Sequence, residues 1–504
     1  MKYVFPIFFV WLGCQFVALH AQEINRPPLP AVTQPKDTFV LTLERTIQIA
    51  RENSPDAIAA RHSFRSSYWN YRSFRANYLP SLVLNAEPNL TRQISKIIQP
   101  DGSYNFGKQN QLSTTADLTV NQNIALTGGN VFLRTYLQRF DNFEQDIVSY
   151  QSNPIVIGYQ QNLLGYNSLK WDRKIEPVRY EEAKKNYIET LEIVSSYAAS
   201  KFFQLATAQT NLEIARFNYA NADTLYRFAI GRYEIGTITE NDKLQLEINL
   251  LSEQTNMMNA SIEVDDCIQD LRSYLGIKEE VLLKVEVNNV VPRFEVPLQA
   301  ALTEAYQNSS QIENMERRKV ESNSNVAYAK SQTGFKADLY MEFGLTQTSA
   351  DIGKAYRDPM NQQYVSLGIR VPILDWGVGK GKVKVAKSNR DKVYTQLEQD
   401  QSNFELNVLK TVKQFNLQAD KVNIAYRTAQ TAQRRNEVAR KLYLLGKSSL
   451  LDLNASITEK DRARRDYISS LSNYWNLFYL LRSLTLYNFE NGTPILEDYE
   501  LLIK

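Results

Sequence analysis

Seven-residue periodicity over a very long segment limits how this chain can fold. From about 175 up to Gly231 the only helix breaker is Pro177. Small or apolar residues recur at every seventh position in two series, broken only by Lys201: Leu191, Ala198, Leu205, Leu212, Tyr219 and Tyr226, and Tyr187, Val194, Ala208, Ala215, Ala222 and Ala229. This spacing indicates helices that supercoil around partner helices. At ~1.5 Å per residue the predicted helix is roughly 85 Å long, which is far longer than a helix in an ordinary globular domain.

A second pattern is an internal duplication. RYEIGTITEND, around Gly236, is similar to KLYLLGKSSLLD, around Gly446, and each segment has an Asp six residues after its Gly, at Asp242 and Asp452. These segments lie 210 positions apart, whereas LTLERTIQIARENS and PLQAALTEAYQNSS lie 255 positions apart. The difference of 45 positions places an insertion in the first copy, between about 80 and 165. We therefore predict two tandem repeats of one unit and not a series of unrelated domains.

Each repeat is predicted to contain a short helical segment, β-strands and two long helices, in that order. In the first repeat, residues 41–290, these elements lie at 41–78, about 80–163, about 175–231 and about 240–275. In the second repeat, residues 291–490, they lie at 296–333, about 338–373, about 383–442 and about 450–489, and a tail follows at 491–504. Val408, Phe415, Val422 and Ala429 continue the seven-residue spacing in the second copy.

Strict alternation of side-chain character indicates the strands. Apolar residues occupy most alternate positions in three runs: 112–126, 339–345 and 365–371. Asp117, Glu342 and Arg370 fall in the intervening polar positions. Such alternation is typical of membrane β-strands, with one face toward lipid and one toward a wet lumen, and also of half-buried strands in soluble sheets. Together with the long helices it favours an α+β membrane protein, in which a β-barrel joins a helical tube.

The first residues have the layout of a secretory leader. Residues 1–21 combine Lys2, an apolar run and a cleavage position after Ala21, and residues 22–40 form a Pro-rich extended tether. A lipoprotein processed at Cys14 is the alternative. Removal of the leader leaves one His and one Cys, His62 and Cys267, which argues strongly against a Ser–His–Asp triad or a site with several His ligands. We expect a protein that is not an enzyme and has no cofactor or metal site. The formal net charge of +3 argues against a nucleic-acid partner.

Several segments resemble the TolC-like outer membrane efflux protein family, over about 40–490. They are LTLERTIQIARENSPDAIAAR, LTGGN, LDWGVGKGK and, above all, RYEIGTITENDKLQLEI. The resemblance implies a homotrimer, with one shared barrel in the outer membrane of a Gram-negative-type bacterium and a periplasmic α-helical barrel. It also implies that substrate arrives from an inner-membrane efflux pump or ABC transporter through a periplasmic adaptor. The helix-turn-helix tips that would meet the adaptor contain Gly236, Asp242, Gly446 and Asp452.

The resemblance also implies a gate at the periplasmic end, lined by acidic residues. Asp452 matches one such position, but Ala455 stands where a second acidic residue is often found, so the charge of the gate stays open. Asp117, Glu342 and Arg370 are the candidates that would face the lumen. If an inserted hairpin at about 127–163 joins the barrel, a trimer has 18 strands; if it lies outside, the trimer has 12. The alternative function is a surface-anchored coiled-coil structural or adhesive protein. The exported substrate and the pump class are not encoded in any motif that we find.

Overall fold

The computed structural model of the protein describes residues 38–98, 100, 102–278, 281–288, 290–445 and 447–503. The predicted signal peptide, the tether up to residue 37 and Gly446 lie outside the described residues. The helices are α1 Leu43–Asn53, α2 Pro55–Ala76, α3 Ser168–Glu234, α4 Glu240–Tyr274, α5 Leu298–Asn308, α6 Ser310–Thr333, α7 Val378–Leu444, α8 Leu450–Thr485 and α9 Tyr499–Ile503. The strands are β1 Thr38–Leu41, β2 Ser81–Ile98, β3 Tyr104–Ile124, β4 Gly129–Asn142, β5 Ile147–Asn162, β6 Leu282–Val285, β7 Lys336–Ser349, β8 Met360–Arg370, β9 Tyr487–Asn488 and β10 Thr493–Pro494.

The duplication is visible in the lengths and spacing of the helices. Helices α3 and α7 each have 67 residues, and their first residues lie 210 positions apart. Helices α1 and α5 each have 11 residues, and their first residues lie 255 positions apart. The predicted short helical segments are each divided in two, because Ser54 and Ser309 are extended residues that end one helix and cap the next.

The spacing of the strands shows where the insertion lies. Strand β7 begins 255 positions after β2, whereas β8 lies 210 positions after part of β5. The offset therefore changes between β2 and β5, and the inserted elements are β3 and β4. An inserted hairpin at about 127–163, as expected from the sequence, does not match this position, because that range contains β4 and β5. All four strands of the first repeat belong to the sheet.

One antiparallel sheet contains six strands, in the order β2-β3-β4-β5-β7-β8. Strands β2 and β8 are its two edges. Each repeat therefore contributes a contiguous part of the sheet. Strands β1 and β6 form a separate parallel pair, in which residues 38–41 lie opposite residues 282–285. Residues 38–40, which the sequence analysis placed in the tether, are thus part of a strand, because their backbone groups pair with β6.

The heptad positions of α3 form its buried side, along which α4 and α8 pack. Leu191, Ala198 and Leu205 lie in the main hydrophobic core with residues of α7 and α8. Glu192 is completely buried beside them, and its carboxylate pairs with Arg51 at 2.8 Å and with Arg482 at 2.7 Å. This cluster ties α1, α3 and α8 together. No helix in the described parts of the chain is long and apolar enough to cross a membrane.

Three helix ends differ from the predicted bounds by four residues or more, and one of them is the start of α7, at Val378 and not at about 383. Helix α3 begins at Ser168 and not at about 175, so Pro177 lies inside the helix, where it lacks the N–H of a regular backbone hydrogen bond. Helix α8 ends at Thr485 and not at 489, because Leu486 has a φ of 47°, in the left-handed region. After that residue the predicted tail folds back, and Tyr499 packs against Phe64 of α2.

Candidate functional site

The six-stranded sheet has one apolar and one polar face. Residues directly opposite each other on neighbouring antiparallel strands point to the same side, so the register of the sheet assigns every side chain to a face. The apolar face contains Leu82, Leu84, Leu90, Leu112, Ala116, Leu118, Val120, Leu133, Leu137, Ile157, Leu339, Met341, Phe343, Val365, Leu367 and Ile369. This face extends over all six strands, interrupted near the outer end of β4 by the ion pair of Arg139 with Asp141, and many of its side chains are exposed.

The three residues predicted to face a lumen all lie on the polar face, in separate places. Asp117 lies on β3, where its carboxylate accepts hydrogen bonds from Asn85 Nδ2 and Thr119 Oγ1, both at 3.0 Å. Arg370 is exposed at the end of β8, directly opposite Lys336. Asp117 and Arg370 are therefore accessible charges, and neither is part of a compact site.

Glu342 belongs to a cluster that the sequence analysis did not find. Arg134 Nη2 lies 3.2 Å from Glu342 Oε1, and the Tyr340 hydroxyl donates to Glu342 Oε2 at 2.6 Å. The Phe132 ring covers Gly158 of the intervening strand, where an added Cβ would overlap the ring. Because Phe132 fills this space on the polar face, β4 has poor alternation, and the sequence pattern gave little sign of the cluster.

The first helix-turn-helix tip, between α3 and α4, contains Gly236 and Asp242. Gly236 has a φ of 71°, and its N–H donates to Tyr233 O at 2.9 Å, which ends α3. Asp242 and Thr239 then form a capping box: Thr239 N donates to Asp242 Oδ2, and Asp242 N donates to Thr239 Oγ1, both at 3.1 Å. The Thr239 hydroxyl also donates to Asp242 Oδ2, at 2.7 Å, and this hydrogen bond, followed by the one from Thr239 N, lowers the pKa of Asp242.

The second tip, between α7 and α8, repeats this arrangement around Asp452. Asp452 N donates to Ser449 Oγ at 3.1 Å, and Ser449 Oγ donates to Asp452 Oδ2 at 2.6 Å. Hydrogen bonds from Ser449, with a smaller effect of the Arg435 charge, lower the pKa of Asp452. Both tip aspartates thus cap the first turn of a helix. The spacing Thr239-x-x-Asp242 and Ser449-x-x-Asp452 could have indicated this role.

Asn167 joins the sheet to the long helices. Its Oδ1 accepts from Lys170 N at 2.9 Å, as the N-cap of α3, and its Nδ2 donates to Ala125 O at 3.1 Å in the turn between β3 and β4. Gly128 in that turn has a φ of 77°, and an added Cβ would lie 2.8 Å from Asn167 Cγ. One side chain therefore couples the turn to the start of α3.

No group of three or more His, Cys, Asp or Glu residues that could hold a metal ion is found within the described ranges.

Comparison with known proteins gives a family and a fold. The profile of a family described as outer membrane efflux protein matches residues 46–277 and 301–476. The structure is similar to that of the Campylobacter jejuni CmeC outer membrane channel, with a TM-score of 0.66 at 16% identity, covering 92% of this chain and 88% of that one. Among curated proteins, none matches the chain significantly.

Two further solved structures have a similar fold. The outer membrane protein VceC of Vibrio cholerae aligns with a TM-score of 0.61 at 13% identity, covering 90% of this chain and 97% of that one. The open state of the Neisseria gonorrhoeae MtrE outer membrane channel aligns with a TM-score of 0.57 at 15% identity, covering 88% of each chain. At these identities the similarity establishes the fold.

Proposed function

Because the chain belongs to the outer membrane efflux protein family, we propose that it is the passive outer-membrane exit duct of a tripartite efflux or type I secretion system. One observation supports this most strongly: a sheet with one apolar and one polar face continues into two pairs of helices, each with one member of 67 residues. The apolar face meets lipid, the polar face lines the passage, and the helices extend the passage into the periplasm.

The thickness of the apolar face fits a membrane. Residues 82–90 of β2 and 112–120 of β3 face each other in register and carry its apolar positions. At ~3.3 Å per residue and a tilt of about 40°, each stretch spans about 23 Å, close to the apolar band of roughly 25 Å in outer-membrane barrels. The chain itself belongs to the outer membrane of a Gram-negative-type bacterium in this proposal.

Closure of the barrel requires further copies of the chain. The edge strands β2 and β8 leave backbone groups unpaired, and lipid does not tolerate open sheet edges. In a homotrimer, β8 of each protomer pairs with β2 of the next. Three sheets of six strands then make a barrel of 18 strands, which favours the larger of the two numbers that the sequence left open.

The helical end is proposed to receive substrate. The tips with Gly236 and Asp242, and with Gly446 and Asp452, dock on a periplasmic adaptor, which hands over substrate from an inner-membrane pump. Asp452 is also the candidate for the periplasmic gate, although its carboxylate is already engaged by Ser449. Asp117, Glu342 and Arg370 line the passage. The family and the similar channels support these assignments through the shared fold.

The test is extraction and reconstitution of the full chain. We expect that detergent is needed to release it from the outer membrane, that its mass is that of a trimer, and that it produces discrete conductance steps in a planar bilayer. A water-soluble monomer or dimer without conductance would refute the duct and favour the coiled-coil structural or adhesive protein.

A further inference from the structure

The hairpin of β2 and β3 extends well beyond the rest of the sheet. Strand β3 pairs with β4 only as far as Gln111, opposite Asn142, but it pairs with β2 as far as Tyr104, opposite Ile98. Residues 92–98 and 104–110, which we call the outer ribbon, thus project past β4. At ~3.4 Å per residue the projection is roughly 24 Å. It lies at the end of the sheet opposite Asn167 and the long helices.

One face of the outer ribbon is basic and apolar. It continues the apolar face of the sheet, because the register alternates without interruption from the pair Leu90–Leu112 onward. The cross-strand pairs on this face are Arg92–Asn110, Ile94–Lys108, Lys96–Phe106 and Ile98–Tyr104. Ile94 and Ile98 are each 69% exposed, Phe106 is 68% exposed, and Lys96 Nζ lies 3.4 Å from the centroid of the Tyr104 ring.

The opposite face of the outer ribbon carries no charge, and its positions are polar except for Gly107 and Ile97. Gln93 Nε2 donates to Gln109 Oε1 at 2.9 Å, and Ser95 Oγ donates to the same oxygen at 2.8 Å. Within residues 92–98 and 104–110 there are three cations and no carboxylate. All three positive charges of the ribbon therefore lie on one side, together with the exposed side chains of Ile94, Ile98 and Phe106.

We propose that this basic and apolar face docks on the anionic, phosphate-bearing lipid headgroups of the outer leaflet. The inference rests on the proposed function, which places the apolar band in the membrane. Arg92 comes directly after the last apolar pair of that band, at the depth where headgroups begin, and Lys108 follows one pair further out on the same face. A ribbon that leans outward turns this face toward the membrane surface. The cations then meet lipid phosphates, and Ile94, Ile98 and Phe106 enter the boundary between headgroups and acyl chains.

Charge complementarity selects this partner over a neutral surface. Each Lys or Arg close to an anionic leaflet contributes a favourable interaction, and three together predict a preference on the order of 100-fold over a zwitterionic leaflet. A purely apolar contact with lipid would show no such preference. A protein partner would need a surface with both acidic groups and an apolar groove. The leaflet beside the ribbon already offers anionic phosphates and apolar acyl chains.

The test measures the depth of the outer ribbon in proteoliposomes. A nitroxide is attached at Ile98→Cys in the full-length trimer, on a Cys267→Ala background that removes the other Cys of the mature chain. Access of a water-soluble relaxing agent is compared between vesicles of phosphatidylcholine and vesicles with phosphatidylglycerol or lipopolysaccharide. We expect strong shielding of the label with either anionic lipid, and loss of that shielding at high salt.

The decisive variant neutralises the three cations as Arg92→Gln, Lys96→Gln and Lys108→Gln. It should abolish the shielding while the trimeric mass and the conductance are kept. A matched variant replaces three exposed lysines of α7, Lys392, Lys413 and Lys421, by Gln and should keep the shielding.

Equal shielding in phosphatidylcholine, shielding that survives the triple substitution, or shielding that appears only with an added protein would overturn the docking proposal. A wild-type chain that neither trimerises nor conducts would instead refute the duct.

Discussion

Two residues that are adjacent in a strand of the sheet face different environments, because their side chains point to opposite faces. Ala116 lies on the apolar face, between Ala86 and Leu137, and Thr115 lies on the polar face, between Glu87 and Gln138. Both are near the middle of the apolar band. A charged substitution therefore probes which face meets lipid.

Replacing Ala116 with Arg should reduce stability in lipid by about 2–4 kcal/mol, because it places a cation near the middle of the bilayer. Thr115→Arg is the matched control and should cost much less, since its side chain enters the polar interior beside Glu87. Denaturant unfolding of the reconstituted protein measures both. Equal costs for the two substitutions would contradict the assignment of the faces.

The tip aspartates offer a paired test of the gate. Asp452→Ala and Asp242→Ala each remove a capping box, so both should lower the melting temperature by similar amounts. If Asp452 also lines the gate, only Asp452→Ala should raise the conductance and reduce the cation preference in bilayers. Unchanged conductance and selectivity in Asp452→Ala would remove Asp452 from the gate.

The same two carboxylates predict a dependence on pH. Their pKa values are lowered in the folded chain, so ionisation contributes stability that is complete above the ordinary pKa and is lost as the pH falls through the lower, folded value. The destabilisation by Asp242→Ala should thus be largest at neutral pH and should shrink in acid. Thermal unfolding between pH 7 and about pH 3 measures this. A constant difference over that range would show that the carboxylate charge makes no contribution.

Among the secondary-structure elements, the junction between the sheet and α3 depends on one side chain. Asn167→Ala removes the N-cap of α3 and the contacts to the turn between β3 and β4, and should cost about 1–2 kcal/mol. Asn167→Asp keeps the accepting Oδ1 but loses the Nδ2 donor, so it separates the two roles. Denaturant unfolding should rank the wild type above Asn167→Asp and both above Asn167→Ala. If Asn167→Asp is no better than Asn167→Ala, the cap contributes little.

The elements differ in how well their sequences predict them. Helices α3 and α7 follow from periodicity, because small and apolar residues recur at every seventh position and most of them are buried along one side. Strand β4 has no clear alternation, since Phe132 lies on the polar face over Gly158, and Arg139 pairs with Asp141 on the other face near the strand end. The end of α8 at Thr485 depends on the left-handed backbone of one residue, Leu486. A leucine in the sequence does not predict that conformation.

For the whole molecule, the inserted strands set the width of the barrel. Deleting residues 99–146 joins β2 to β5, which already run in opposite directions, and leaves four strands per chain in the order β2-β5-β7-β8. A trimer of this variant should have 12 strands. Because barrel diameter increases roughly linearly with strand number, the diameter should fall by about one third. Electron cryomicroscopy of the two trimers measures it. An unchanged diameter would show that β3 and β4 lie outside the barrel.

Local patterns in the sequence were sufficient for the long helices, the alternating strands and the duplication, because burial on one side of a helix or strand leaves a period in the residues themselves. They were not sufficient for the six-stranded order, for the position of the insertion at β3 and β4, or for the pairing of Arg134 with Glu342, 208 positions away. Those features depend on which distant strands become neighbours and in what register. The periodicity of one segment carries no information about its partner strand or its register. Only the tertiary structure therefore determines these features.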